Sequence, residues 1–330
     1  MQPYRHDNRI SLCAALMALA LLVQIVRASG VEAATAGLIA AAPPPAETAE
    51  SVDPVDSSPP EDPMPSSDPE PDREPDADSP PAAFTAAEGE AIPIGGASTY
   101  QVDPVALLQQ PLALPGGGDG PQVLIIHTHT SESYTPEPDY AYENTNNYHT
   151  EDNRYNVVRV GQELADTLEQ CGISVLHDET SHDAPSYNGA YARTLTDIEQ
   201  DLADNPSIRL VLDLHRDAIA DEDGTLLGTA QTLGGVDTAR VMLVVGTDEG
   251  GLPHPNWRDN LSCALKLRTL LEREQPGVSR MIDLRTERFN QHTSPGALLL
   301  EIGSAGDTLT EALAAARLVG QAVASLLALA

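Results

Sequence analysis

Between residues 121 and 330, short continuous apolar runs alternate with longer stretches whose apolar residues recur every three or four positions, as in strands alternating with amphipathic helices. Val-Leu-Ile-Ile at 123–126 predicts a first strand. Residues 156–171 place Val157, Val160, Leu164 and Leu168 on one helical face, stop at Gly172 as a C-cap does, and lead into a strand at 173–176. The same reading predicts a helix over 191–205 and strongly apolar strands at 208–214 and 239–246. A helix over 256–274, a last strand at 297–302 and an Ala/Leu-rich helix from 309 to the C-terminus complete the pattern. Such alternation predicts an α/β domain over 121–330, with a mostly parallel sheet flanked by helices.

A different pattern precedes this domain. Arg5 and Arg9 lead into an apolar run at 10–26 in which only Ser11 and Gln24 are clearly polar. The run is at the short end for a bilayer-spanning helix. The positive-inside rule places the N-terminus in the cytoplasm and the rest outside. Residues 1–28 therefore read as a cytoplasmic tail and transmembrane anchor of a single-pass, extracytoplasmic protein. The alternative is a signal peptide cleaved at the small residues near 28–36, which makes the protein secreted. Residues 29–120 read as a Pro/acidic disordered linker and approach segment: 43–90 hold 13 Pro, 14 Asp or Glu and one Arg, with Phe84 the only aromatic. That composition cannot bury enough apolar surface to offset chain entropy.

Charge then removes several function classes. The chain carries a formal net charge of −32, and residues 121–330 hold 32 acidic against 14 basic residues. Nucleic acid is excluded as a partner, since phosphate binding calls for a basic face. Cys13, Cys171 and Cys263 form no C-x-x-C pair, so they predict neither a thiolate metal site nor a disulfide framework.

Polar clusters sit where the apolar strands end, the edge at which open parallel sheets place their ligand crevice. His-Thr-His-Thr-Ser-Glu (127–132) follows the first strand, Asp-Leu-His-Arg-Asp (213–217) ends the next long one, and Glu301 continues the last. Imidazoles and carboxylates converging from separate strands are what a catalytic zinc requires: three protein ligands, an open position for water and a free carboxylate. Alternation leaves both His127 and His129 as candidates, and places Asp213, His215 and Asp217 on one side of a persisting strand. Asp213 or Asp217 is then a candidate to fix the His215 tautomer. Glu301, inside an apolar run, is placed where burial raises a carboxyl's pKa unless a cation such as Arg216 or Arg280 pairs with it. Nucleophile-elbow, P-loop, H-E-x-x-H and dinucleotide fingerprints are missing from the sequence.

Ile-Ile-His-Thr-His-Thr-Ser-Glu-Ser-Tyr (125–134), Tyr-Asn-Val-Val-Arg-Val-Gly (155–161), Leu-Asp-Leu-His-Arg-Asp (212–217), Phe-Asn-Gln (289–291) and Leu-Leu-Glu-Ile-Gly (299–303) together resemble the stage II sporulation protein P family. The resemblance spans about residues 121–325, in order, and the layout of anchor, tether and extracytoplasmic domain is similar as well. It implies a fold related to N-acetylmuramoyl-L-alanine amidases and a zinc-dependent peptidoglycan hydrolase acting during forespore engulfment. Such an enzyme cuts the N-acetylmuramoyl-L-alanine bond and stem-peptide cross-links, alongside stage II sporulation proteins D and M. Carried onto this chain, it implies zinc held by His127 or His129, by Glu132 and by His215, with Glu301 as the catalytic base. Arg216, Asn290 and Gln291 are candidates to steady the oxyanion or the substrate. The amidase relatives carry an Asp-Pro-Gly-His-Gly-Gly-like turn and a metal-binding Glu just ahead of the first helix. Here that turn is His-Thr-His-Thr-Ser-Glu and the helix opens Asp-Asn-Arg-Tyr-Asn (152–156), so Glu132 is expected as third ligand, with Asp152 behind it. The competing expectations are a non-catalytic, membrane-tethered wall-binding scaffold and a metallopeptidase on another extracellular substrate.

Overall fold

The structure, a computed structural model, describes residues 83–144 and 148–330. The expected anchor at 10–26, Cys13 and most of the expected linker lie outside the described residues. Among those described, no helix is long and apolar enough to cross a membrane.

One seven-stranded sheet organises the chain. Its strands are β1 (Ile94–Gly95), β2 (Val123–Ile126), β3 (Val175–His177), β4 (Leu210–Asp217), β7 (Val241–Gly246), β8 (Ser279–Arg285) and β9 (Ala297–Ser304). They stand in the order β1-β8-β7-β9-β4-β2-β3. Every pairing is parallel except β7 with β9. The strands β9, β4, β2 and β3 therefore run one way, and their C-terminal ends share one edge. A two-stranded hairpin, β5 (Gln231–Leu233) and β6 (Val236–Thr238), stands apart.

Alternation along the central strands divides the apolar residues between two faces. Val123 and Ile125 of β2, Leu210, Leu212 and Leu214 of β4, and Leu298, Leu300 and Ile302 of β9 belong to the principal core. That core is covered by three helices, α3 (Val157–Gln170), α5 (Trp257–Glu274) and α6 (Leu309–Leu327). The Asn156 side chain caps α3, and a Thr308/Glu311 capping box starts α6. In α3, Val160, Leu164 and Leu168 are fully buried, each contributing about 1.5–3 kcal/mol. The second face is covered more sparsely: Leu124, Ile126, Val211 and Ala297 meet Ile198 of α4 (Ala190–Asp204). Asp213, His215 and Glu301 fall on this thinner side.

The folded unit begins well before residue 121. A Thr85/Glu88 capping box starts α1 (Ala86–Ala91), Ile94 and Gly95 pair with Ile282 and Asp283 of β8, and α2 (Pro104–Gln109) buries Leu108 completely. Buried Lys266 and Ser262 of α5 donate to the Leu107 carbonyl at 3.1 and 2.8 Å and hold α2 down. Among the described residues, four of the nine strands, β1, β5, β6 and β8, have no counterpart in the apolar pattern.

Candidate active site

Strand register brings two of the expected residues side by side. In the β4–β9 ladder His215 is paired with Glu301, and on the other flank of β4 Asp213 is paired with Ile126. Two residues along a strand return to the same face, so Asp213, His215 and Glu301 all project onto the thinly covered side. A register shift after His215 breaks the alternation, and Asp217 turns away to an ion pair with Arg280 at 2.7 Å. Asp217 is therefore not the carboxylate at His215.

The turn after β2 supplies the other groups. Thr128 fastens it to β4, its amide and hydroxyl donating to Asp213 at 2.8 and 2.6 Å. The chain then leaves the strand, closing a turn with the Glu132 amide on the His129 carbonyl at 3.1 Å. This turn carries His129 and Glu132 across to His215. Glu132 Oε2 lies 3.3 Å from His215 Nδ1 and accepts from the Arg216 amide at 3.2 Å. Asp213 Oδ1 lies 3.1 Å from His215 Nε2, too far off line for a hydrogen bond. The His129 and His215 rings meet edge to face, 5.3 Å between centroids.

His127 goes elsewhere. Its Nε2 is 2.9 Å from His177 Nε2 and its Nδ1 is 3.3 Å from the Leu214 carbonyl, in full burial against α3. Gly161 of α3 makes room for that pair, since a Cβ there would stand 2.7 Å from both Nε2 atoms. Asp152 also lies apart, joined to exposed Arg154 at 2.6 Å. Arg216 is buried with its guanidinium donating to the carbonyls of Ser133 and Tyr148, both at 2.9 Å. It props up the turn and leaves Glu301 without an arginine. Gln291 accepts from the Gly246 amide and donates to the Val244 carbonyl, sealing the end of β7, while Asn290 Nδ2 donates to the Tyr191 carbonyl.

Two tyrosines that the sequence pattern did not single out complete the site. Tyr187 lies flat on His129 with 3.9 Å between ring centroids, and Tyr191, at the start of α4, stacks on His215 at 6.4 Å. The sole signal in the sequence is their four-residue spacing ahead of a helix.

The electrostatics of the cluster are unbalanced. Burial holds His129 down to about 4, so this imidazole is neutral with a lone pair to offer. Burial works against charge on Glu132 and on Asp213, yet His215 beside both keeps them below the ordinary carboxylate range. Burial also opposes the His215 imidazolium, and the two carboxylates raise it well above its ordinary value. Glu301 gets too little of that relief: burial, with the charges of Asp217 and Glu132, pushes its carboxyl up to about 8 against the opposing pull of His215 and Arg216. Its Oε2 and His129 Nδ1 are both buried without a hydrogen-bond partner. Three carboxylates, a neutral imidazole and three buried polar atoms without a hydrogen-bond partner, among them His215 Nε2, meet at one strand edge. An imidazole and carboxylate donor set suits zinc. His129, Glu132 and His215 are donors of that kind at this edge, whereas His127 lies apart against α3.

The chain is similar to several known proteins. Stage II sporulation protein P of Bacillus subtilis (strain 168) is 29% identical over 211 residues, 59% of this chain and 48% of that protein. The matched stretch thus spans about half the length of that curated relative. Among solved structures, an N-acetylmuramoyl-L-alanine amidase from Clostridium difficile 630 is similar at 17% identity and a TM-score of 0.37, covering 64% of this chain and 98% of its own. Cwp6 from Clostridium difficile is similar at 12% identity and a TM-score of 0.32, covering 62% and 29%. The profile of the Stage II sporulation protein P family runs across both the linker-like stretch and the sheet domain, matching residues 43–324, and the chain belongs to that family.

Proposed function

We propose that this chain is a sporulation peptidoglycan hydrolase that cleaves the amide between N-acetylmuramic acid and L-alanine, with stem-peptide cross-links as a second substrate. One observation carries the reading: a half-buried carboxylate, Glu301, whose Oε2 is buried without a partner, lies in register beside His215 at the edge where His129 and Glu132 converge. Membership of the family supports the substrate class and the link to forespore engulfment.

His129, Glu132 and His215 are the residues to hold zinc, which when bound lowers the pKa of a water towards about 7 and polarises the scissile carbonyl. Asp213, itself held by two bonds from Thr128, sets a negative charge 3.1 Å from His215 Nε2. Glu301 takes the proton of the attacking water and later returns it to the leaving amine. Its raised pKa suits a group that must hold and release a proton near neutral pH. Tyr187, on the open side of His129, offers an aromatic wall to the substrate. The membrane through residues 10–26 and stage II sporulation proteins D and M are the partners this reading implies.

The test is digestion of purified peptidoglycan by the full chain loaded with zinc, with identification of the ends released. New L-alanine amino termini are expected from the wild type, and none from His215→Ala, which should also lose metal. Ends arising elsewhere in the stem peptide alone would replace the amidase reading with an endopeptidase one. Release of nothing, even beside a glycan-cleaving enzyme, would leave a wall-binding scaffold.

A further inference from the structure

We propose a second divalent-cation site, separate from the candidate active site, formed by Asp178 and His182 of the loop after β3 and Asp197 of α4. Each of these residues offers one ligand atom, and the three atoms lie within 4.8 Å of one another.

The hydrogen-bond pattern of His182 is what calls for a cation. The ring is 1% exposed, and its Nδ1 lies 3.0 Å from the backbone carbonyl of His127. A carbonyl oxygen only accepts, so Nδ1 carries the hydrogen and Nε2 is the ring atom turned to the carboxylates. It faces Asp197 Oδ2 at 2.8 Å, and Asp178 stands on the same side. A positive charge, either a second ring proton or a metal ion, holds such a set of atoms together. Arg193, the arginine near this loop, gives its Nε to the His182 carbonyl and a second nitrogen to the Ser186 carbonyl. Arg193 therefore pairs with neither carboxylate; Asp178 Oδ1 accepts from the Thr180 amide at 2.9 Å, which leaves its second oxygen for a metal. Asp197 retains 41% side-chain exposure and sits on a helix, so it can withdraw by on the order of half an ångström to give both ligands bonds of about 2.1 Å.

One imidazole and two carboxylates favour a borderline ion such as Zn2+ or Mn2+ over Ca2+, which takes oxygen ligands throughout. Water fills the positions facing solvent. The ion would tie the 178–183 loop to α4, and that loop braces the turn after β2. His182 holds the His127 carbonyl, the His182 amide donates to Thr130 Oγ1 at 3.0 Å, and Asp183 accepts from the Ser131 amide at 3.0 Å. A cation here would therefore fix the turn that bears His129 and Glu132 without touching substrate.

The experiment is a zinc count and affinity titration on the metal-stripped full chain, for wild type, Asp197→Asn, Asp178→Asn, and the control Asp204→Asn, whose carboxylate bonds Gln200 instead. Circular dichroism confirms the fold of each. Asp197→Asn and Asp178→Asn should each lose one ion, or bind it at least about tenfold more weakly, while Asp204→Asn matches wild type. His129→Ala separates this site from the proposed catalytic one: a single ion lost on His129→Ala and a different one on Asp197→Asn means both sites exist. An ion lost only with Asp197→Asn sustains this proposal and removes the catalytic metal. If His182 is simply an imidazolium paired with Asp197, neither aspartate variant alters zinc binding, and the proposal is overturned.

Discussion

Replacing Glu301 by Gln should lower activity and raise stability at the same time. The side chain is half-buried with its Oε2 buried and unpartnered, and its carboxyl is pushed from 4.5 up to about 8. Between those values the unfolded chain carries an ionised Glu301 while the metal-free folded chain holds it protonated. The folded state binds the extra proton, so the contribution of this residue to stability falls as pH rises through the window. At pH 7 the deficit, at 1.36 kcal/mol for each of about 2.5 pH units, is about 3 kcal/mol in the absence of metal. Gln keeps the shape and has no charge to lose. Urea denaturation with a chelator present should therefore show Glu301→Gln more stable than wild type by about 2–3 kcal/mol at pH 7, with the gap closing towards pH 4.5. Bound zinc favours the carboxylate and should narrow the gap at pH 7. In the peptidoglycan digest the same variant should lose a factor of roughly 10² to 10⁴ while retaining its metal. A variant no more stable than wild type at pH 7 would mean that Glu301 is paired after all. Activity within tenfold of wild type would remove it as the base.

Three further outcomes follow from the geometry. Asp213→Asn takes away the charge beside His215 and should weaken zinc affinity about 10- to 100-fold, measured by competition with a chromogenic chelator. His127→Ala opens a cavity at fully buried His127, beside half-buried His177, so the urea midpoint should drop by the equivalent of about 2–4 kcal/mol with the zinc count unchanged; a lost ion would make His127 a ligand. Burial brings Lys266 from 10.5 down to about 8, so the unfolded chain binds the extra proton between those values and the contribution of Lys266 to stability rises with pH there. Relative to Lys266→Met, wild type should gain on the order of 2 kcal/mol from pH 8 to 10.5, and a flat difference in urea denaturation would refute this.

The elements legible in the sequence are those whose burial is one-sided or complete. The helices α3 to α6 show their spacing because each lays one face on the sheet, and β2, β4, β7 and β9 are continuous apolar runs because they are covered on both sides. β8 is hidden by its charges. It reads Ser-Arg-Met-Ile-Asp-Leu-Arg, in which Arg285 pairs with its near neighbours Asp283 and Glu287 while Arg280 reaches Asp217, a contact that no local window contains. The stretch from 83 to 112 is hidden by the composition before it. Phe84, Ile94, Leu107, Leu112 and Leu114 are widely spaced, and their burial against the principal core comes from β8 and α5, far along the chain.

The site shows the same boundary at the scale of single residues. That His215 and Glu301 meet is half written in the sequence, since both end apolar runs, but the register that pairs them is a property of the sheet. The two histidines of the turn show where period-two reasoning stops. Val123, Ile125 and His127 share parity, and His127 does point with them into the principal core, towards Gly161 and His177. Had the strand continued, His129 would have followed it there, away from Asp213 and His215. It does not, because Thr128 is fastened to Asp213 and the chain turns at once, closing the Glu132 amide onto the His129 carbonyl. The turn inverts the face for every residue after Thr128. One neutral histidine therefore stays behind as packing under α3, and the other crosses to the thinly covered face where the unpaired carboxylate waits.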